Sequence, residues 1–318
     1  GSMASSTAPG SAPAPHGLNM IPFFIFYSMF GFQRIGDMIW AAGDARAKGF
    51  MIGGTAGRTT LAGEGLQHQD GHSHLYALAM PHVRAYDPAF SYETAVIVMD
   101  GLAKMYRDRE DVIYYITVEN ENYHMPPMPE GAEEGIVRGM YRLATEVAGK
   151  DRPHVHLFGS GAILREAQRA QEILAEKFDV SSTVWSVTSY TELRREAQEV
   201  HRWNLLHPKE APRKSYVEQI LEHEEGPFIA ASDYVRAIPE QIASWVPGGL
   251  YALGTNGFGR SDTRKQLRRF FEVDAEFITL AALYRLEDQG SCDASTVARA
   301  IRELDIDPEK LDPLTCPN

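Results

Sequence analysis

From Pro22 to the C-terminus, apolar runs of strand length alternate with amphipathic stretches, and a chain patterned this way folds as an α/β protein with a largely parallel sheet. Parallel strands are joined by crossovers long enough to hold a helix, so the alternation is itself the topology signal. Strands are predicted near Phe23–Tyr27, Phe50–Gly53, Val83–Tyr86 and Val112–Val118, with helices near Phe32–Ala47 and Tyr92–Tyr106. The proline-rich passage Met125–Pro129 (MPPMP) then breaks the chain. A second series starts with a strand at Val155–Phe158 and a helix near Ala162–Phe178, whose Ile163, Ala167, Ala170, Ile173, Leu174 and Phe178 share one face. It continues with strands near Thr183–Thr188 and Phe228–Ala231 and helices near Leu193–Leu206, Ile238–Trp245, Arg264–Phe271, Ala275–Leu286 and Ser295–Leu304. Two domains, 20–140 and 141–318, meeting between Met125 and Lys150, account for the pattern.

The chain has 318 residues, room for about two domains of roughly 100–200 residues each, and carries 43 acidic against 31 basic residues for a net charge of −12. That sign argues against nucleic acid or an anionic membrane as a partner. The most apolar run, Ile21–Phe30, is about half the roughly 20 residues needed to cross a bilayer and contains Pro22, so it reads as a buried strand. Cys292 and Cys316 form neither a disulfide framework nor a zinc-ligand pattern, and the expected setting is cytoplasmic.

Residues 1–19 are expected to lie outside the folded part. Gly1-Ser2-Met3 has the form of an expression scar, and Ala4–Pro15 consists only of Ala, Ser, Thr, Pro and Gly. Such a segment has almost nothing to bury and reads as a frayed terminus or an extended tether to another domain.

Four segments could carry chemistry. The densest is Gly63–His74 (GEGLQHQDGHSH), with three histidines, a glutamate and an aspartate punctuated by glycine. His68, Asp70, His72 and His74 suit a divalent metal, Glu64 and His68 suit acid/base work, and a surface loop with histidines bonded to backbone is the structural alternative. The second is Phe23–Asp37, whose Phe24, Phe26, Tyr27, Phe30 and Phe32 are either core or the apolar wall of a flat-ring pocket with Arg34 at its rim. The third, Gly254–Asp262 (GTNGFGRSD), is either an anion site at a helix start or a plain strand-to-helix turn. The fourth, Asn120-Glu121-Asn122-Tyr123, is a site or a crossover loop.

Taken together, Met20–Asp37, Trp40–Asp44, Gly53–His74, Tyr86–Phe90, Asn120–Ile136 and Leu253–Asp262 resemble, in order, the sequence blocks of the homodimeric type of pyruvate dehydrogenase decarboxylating component, within the transketolase-like superfamily. The likeness runs from about Leu18 to Asp312. It implies the back half of an aminopyrimidine-binding domain followed by a transketolase C-terminal-like domain of mainly structural role. It also implies thiamine diphosphate with Mg²⁺ as cofactor. By the resemblance Tyr27, Phe30 and Arg34 lie at the aminopyrimidine, and His68, oriented by Glu64, faces the reacting centre and handles protons there.

Two family features are absent: the Gly-Asp-Gly motif with its downstream Asn that holds Mg²⁺ and diphosphate, and the activating glutamate expected just before Met20. Asn256 also stands where the family has aspartate. The resemblance therefore implies a chain inactive alone. One reading is a naturally split, α2β2-type enzyme whose other subunit brings the diphosphate domain, the missing half-domain and the glutamate. It would pass a two-carbon unit from a ketose or 2-oxo acid to a lipoyl or acyl-carrier thiol, as in natural-product pathways, with the carrier tethered through residues 1–19. The alternatives are a fragment of an ordinary pyruvate dehydrogenase component and a non-catalytic scaffold. A half-domain is further expected to leave a sheet edge and an apolar face uncovered.

Overall fold

A computed structural model describes residues 1–65, 67–146 and 152–316; Leu66, Lys150 and the last two residues, on which parts of the expectations fall, lie outside the described residues. The protein is mixed α/β with mainly parallel sheets. The first sheet comprises β1 (Phe23–Tyr27), β2 (Gly49–Gly54), β3 (Val83–Tyr86) and β4 (Ile113–Thr117) in the order β1-β2-β4-β3, all parallel. The second comprises β5 (Met140–Glu146), β6 (His154–Gly159), β7 (Ser181–Val187), β8 (Phe228–Ala231) and β9 (Leu250–Leu253) in the order β5-β7-β6-β8-β9. Only β5 runs antiparallel, pairing Met140 with Val187.

Central strands are buried on both faces, as parallel strands between helical layers must be. Every residue of β4 (IYYIT) is buried, with Tyr115 and Ile113 packed among Phe32, Ile39 and Met51 on one face and Tyr114 and Ile116 beside Phe50, Tyr86 and Ile97 on the other. In the second sheet, Val155, Leu157 and Ile229 meet the helix Leu164–Phe178, which packs in turn against Ala275–Asp288. Asp274 starts that last helix by accepting from the Phe277 amide at 3.0 Å, and Leu164–Phe178 stops where Asp179 turns left-handed at φ 59°.

Three differences from the sequence reading have physical causes. Strands β5 and β9, the two edges of the second sheet, fall outside the sequence expectation: β5 mixes apolar residues with Arg142 and Glu146, which face solvent, and β9 is a run of only four residues (LYAL) between glycines. The helix expected at Ile238–Trp245 shortens to one turn, Ala237–Glu240, and a 3₁₀ turn, Ala243–Trp245, ahead of Pro247-Gly248-Gly249. Most consequentially, residues 1–19 are not an extended tether. Ser2–Ser11 and Pro13–His16 are helical, and Met3, placed in the supposed scar, is buried beside Ala42 and Ala47. The small residues that silence the sequence signal are what let this helix sit close. Gly10 accepts from the Lys48 amide at 2.9 Å, and a Cβ there would lie 2.6 Å from the Lys48 carbonyl oxygen.

β1 is an edge strand, and its Phe23, Ile25 and Tyr27 face solvent, with Ile25 72% exposed. The uncovered edge and apolar face expected from the sequence are both present. Among the described residues no helix is long and apolar enough to cross a membrane.

Candidate functional site

The carboxyl ends of β1 and β2 open into one notch, the place where α/β sheets usually take ligands. Tyr27 ends β1, and strand alternation sends Phe24 and Phe26 inward while turning Tyr27 outward. Phe30 follows in the first turn of the helix Ser28–Asp44, with the Arg34 guanidinium stacked 4.3 Å from its ring centre. Phe24 and Phe26 thus belong to the core, whereas Tyr27 is left open to solvent. The histidine loop leaves β2 and brings His68 edge-on to both rings, with centroids 5.3 Å from Phe30 and 6.2 Å from Tyr27. Glu64 Oε2 lies 3.8 Å from His68 Nδ1. All five residues singled out in the sequence, Tyr27, Phe30, Arg34, Glu64 and His68, therefore meet at one place.

Two properties of this notch bear on what fits it. Tyr27 is 49% exposed, so an aromatic face stands open, and His68 Nδ1 is buried without a hydrogen-bond partner. A flat heteroaromatic ring with a polar group beside it matches both. Among the described residues no group of three or more His, Cys, Asp or Glu side chains is placed to hold a metal ion.

The other histidine-loop residues are structural. Asp70 Oδ1 accepts from the His72 and Ser73 amides at 3.0 and 2.9 Å, fixing the start of the helix Ser73–Ala79. His72 Nε2 meets Gln33 Nε2 at 3.0 Å, and partial burial holds its pKa below the usual value. His74 packs edge-on to Tyr234 and reaches Thr117; burial pushes its pKa down to about 4, so it is neutral at pH 7. These side chains do not converge on a metal.

Residues of the second sheet's domain anchor the loop. Asp233, just after β8, accepts from the Thr59 and Thr60 amides at 2.8 and 3.1 Å and the Thr60 hydroxyl at 2.7 Å. Burial raises its pKa, opposed by Arg268 and those donors. Gln69, beside His68, donates to the Leu61 and Arg260 carbonyls at 2.9 and 2.8 Å and accepts from the Arg260 amide at 2.7 Å. Arg58 is buried across the same contact, donating to the Thr255 and Gly257 carbonyls; burial lowers its pKa, with Asp70 and Asp233 opposing. The turn Gly254–Asp262 is thus the brace of the histidine loop, and Asn256 serves it by accepting from the Arg236 amide at 2.9 Å. Glu121, in the fourth segment, pairs with Arg165 and Arg268, an ionic crossover rather than part of the notch.

Residues 1–126 match the family model described as pyruvate dehydrogenase E1 component middle domain, and 139–274 match the transketolase-like TK C-terminal domain. The pyruvate dehydrogenase E1 component of Pseudomonas aeruginosa is 55% identical over 317 residues, covering 99% of this chain and 36% of that protein. That of Escherichia coli K12 is 53% identical over 315 residues, covering 98% and 35%. The chain is homologous to the C-terminal part of pyruvate dehydrogenase E1. It spans about a third of the length of these relatives. Among solved structures, Campylobacter jejuni transketolase superposes with TM-score 0.63 at 18% identity over 87% of this chain and 38% of that one. A split-gene transketolase, described as an inactive beta4 tetramer, gives 0.58 at 15% identity, covering 89% and 80%. These structures share the transketolase-like fold.

The middle-domain match begins at residue 1, so the N-terminal helix falls within the family's domain, in keeping with its buried Met3. Sequence reasoning missed Asp233, Gln69 and Arg260 as site residues. Asp233 meets Thr59 and Gln69 meets Arg260 across 174 and 191 positions, and no local spacing announces such contacts.

Proposed function

We propose that this chain forms the cofactor-ring and substrate wall of a thiamine diphosphate-dependent 2-oxo acid decarboxylase acting on pyruvate. The observation that carries it is the meeting of Tyr27, Phe30, Arg34, Glu64 and His68 in a chain 55% identical to a pyruvate dehydrogenase E1 component. Bound thiamine diphosphate supplies a carbon nucleophile and an electron sink for cleaving the bond next to a carbonyl. Tyr27 and Phe30 offer the ring an apolar contact and exclude water from one side of it. Arg34 stacks on Phe30 and fixes that ring's face. His68, with Glu64 beside it, is placed to give a proton to the donor's carbonyl oxygen or the acceptor and to take one back.

Pyruvate is favoured over a ketose because the ketose reading rests on fold likeness at 18% identity or less. The diphosphate site, its Mg²⁺ and the activating glutamate are assigned to polypeptide outside these residues. Relatives about three times as long carry such a remainder in the same chain, whereas a separate subunit, as an α2β2 assembly, suits the likeness to a split-gene transketolase. The two-carbon product passes to a lipoyl or other carrier thiol. Ser2–Ser11 and Pro13–His16 are helical, with Met3 buried against the first sheet, so these residues do not themselves have the form of an extended tether.

The test is a donor comparison in the completed enzyme. Release of CO2 from pyruvate without cleavage of ketose phosphates is expected; efficient ketose cleavage would replace this reading with a transketolase.

A further inference from the structure

We propose that Asp87 and Glu119 hold one proton between them, making the junction between the two sheets firm when the pair is protonated and looser when both carboxyls ionise. Asp87 follows β3 and Glu119 follows β4, so both leave the carboxyl edge of the first sheet and enter the carboxyl edge of the second. Across the junction, the Asp87 amide donates to the Thr188 carbonyl at 2.8 Å and its carbonyl accepts from the Gly161 amide at 3.2 Å. Glu119 Oε1 accepts from the Ala162 amide at 3.1 Å. The two carboxyls crowd the same point: a Cβ on Gly161, itself at φ +49°, would lie 2.7 Å from Glu119 Oε1 and 2.8 Å from Asp87 Oδ2.

Among the described residues no cation forms an ion pair with either carboxyl, and Arg268 acts on Glu119 only from a distance. Asp87 is 7% exposed; its Oδ1 accepts from the Thr117 hydroxyl at 2.7 Å and has the Tyr234 hydroxyl at 3.5 Å, while its Oδ2 has no hydrogen-bond partner. The buried Tyr190 hydroxyl, whose pKa burial and Asp87 both raise, is also unpartnered. The facing charges are mostly like ones: Asp233 after β8 and Asp70 in the histidine loop both act on Asp87, and Asp233 acts on Glu119. Arg268 faces Glu119 and Asp233, but its guanidinium is bonded to Glu121 and Glu166. Tyr123 flanks Glu119, and His74 reaches Thr117 as a neutral ring.

Two carboxylates this close and this shielded do not both stay ionised. Burial pushes Asp87 up to about 7, with the Thr117 and Ser160 hydroxyls holding it down in part. Burial, then Asp87, raises Glu119, which keeps some contact with water and gives the shared proton its route out. The pair titrates as a unit. Between the ordinary carboxylate range and about pH 7 the folded chain holds a proton that the unfolded chain has released, so stability is full below that window and falls as pH rises through it. The effect needs no cofactor and is independent of the proposed activity.

Thermal unfolding of the chain and of Asp87→Asn, from about pH 5.5 to about pH 8.5 at fixed ionic strength, tests this. The wild-type midpoint should fall toward high pH, and the variant's should fall less, so that the variant gains on the wild type as pH rises. A constant offset across the range overturns the proposal. If Asp87→Asn does not fold, Glu119→Gln carries the same comparison. A second arm replaces tetramethylammonium with potassium, sodium or calcium at high pH. Specific stabilisation by one of these, absent in the variant, would mean that a cation rather than a proton occupies the pair and would also overturn the proposal.

Discussion

His68 carries a buried ring nitrogen without a hydrogen-bond partner, 3.8 Å from a carboxylate and edge-on to two aromatic rings. Unmatched buried polar atoms are costly, and in a partly open notch the economical explanation is a ligand that completes the bond. In the completed enzyme His68→Ala should lower turnover by about 10²–10⁴-fold, the range for a lost acid/base group, while thiamine diphosphate affinity stays unchanged. Phe30→Ala should do the reverse, weakening cofactor binding by about tenfold through loss of aromatic contact, on the order of 0.5–1.5 kcal/mol plus area. Equilibrium binding beside steady-state rates separates the two. At the same scale, His74 and His156 are buried with pKa values pushed down to about 4. The unfolded chain takes up protons on both between about pH 6.5 and about pH 4, so stability falls with acid through that window. His74→Gln should flatten that limb, with a gain on the order of 2–3 kcal/mol in the pH-dependent term, checked by urea unfolding at about pH 7 and about pH 4.5.

Among elements, the histidine loop is held from the other domain. Asp233 takes three hydrogen bonds from the Thr59-Thr60 corner, and Gln69 makes three with the Leu61 and Arg260 backbone. Asp233→Ala strands two buried amides and should cost on the order of 2–4 kcal/mol, with faster hydrogen exchange concentrated in residues 57–72. Uniform acceleration across the molecule would contradict the brace. The elements the sequence revealed were those whose burial is periodic: β4 and the helix Leu164–Phe178 are apolar in the pattern their partners demand. The missed ones lack that imprint. Ser2–Ser11 is built from small residues and buries little beyond Met3, and β5 is a half-exposed edge. The five notch residues were legible because each lies in a string shared with the resembled family. Asp233 was not, since its role exists only after residues 174 positions apart meet.

At the scale of the whole molecule, the first sheet ends at β1, which has no strand on its outer side among the described residues. Phe23, Ile25 and Tyr27 leave an apolar row on that open edge, an association liability unless other polypeptide covers it. The most direct measurement mixes this chain with separately produced N-terminal polypeptide of a pyruvate dehydrogenase E1 component, thiamine diphosphate and Mg²⁺, and follows CO2 release from pyruvate. Neither part should turn over alone, the mixture should, and His68→Ala should abolish most of the gain. Decarboxylation by this chain alone, or a mixed complex whose turnover is indifferent to His68→Ala, would contradict the account.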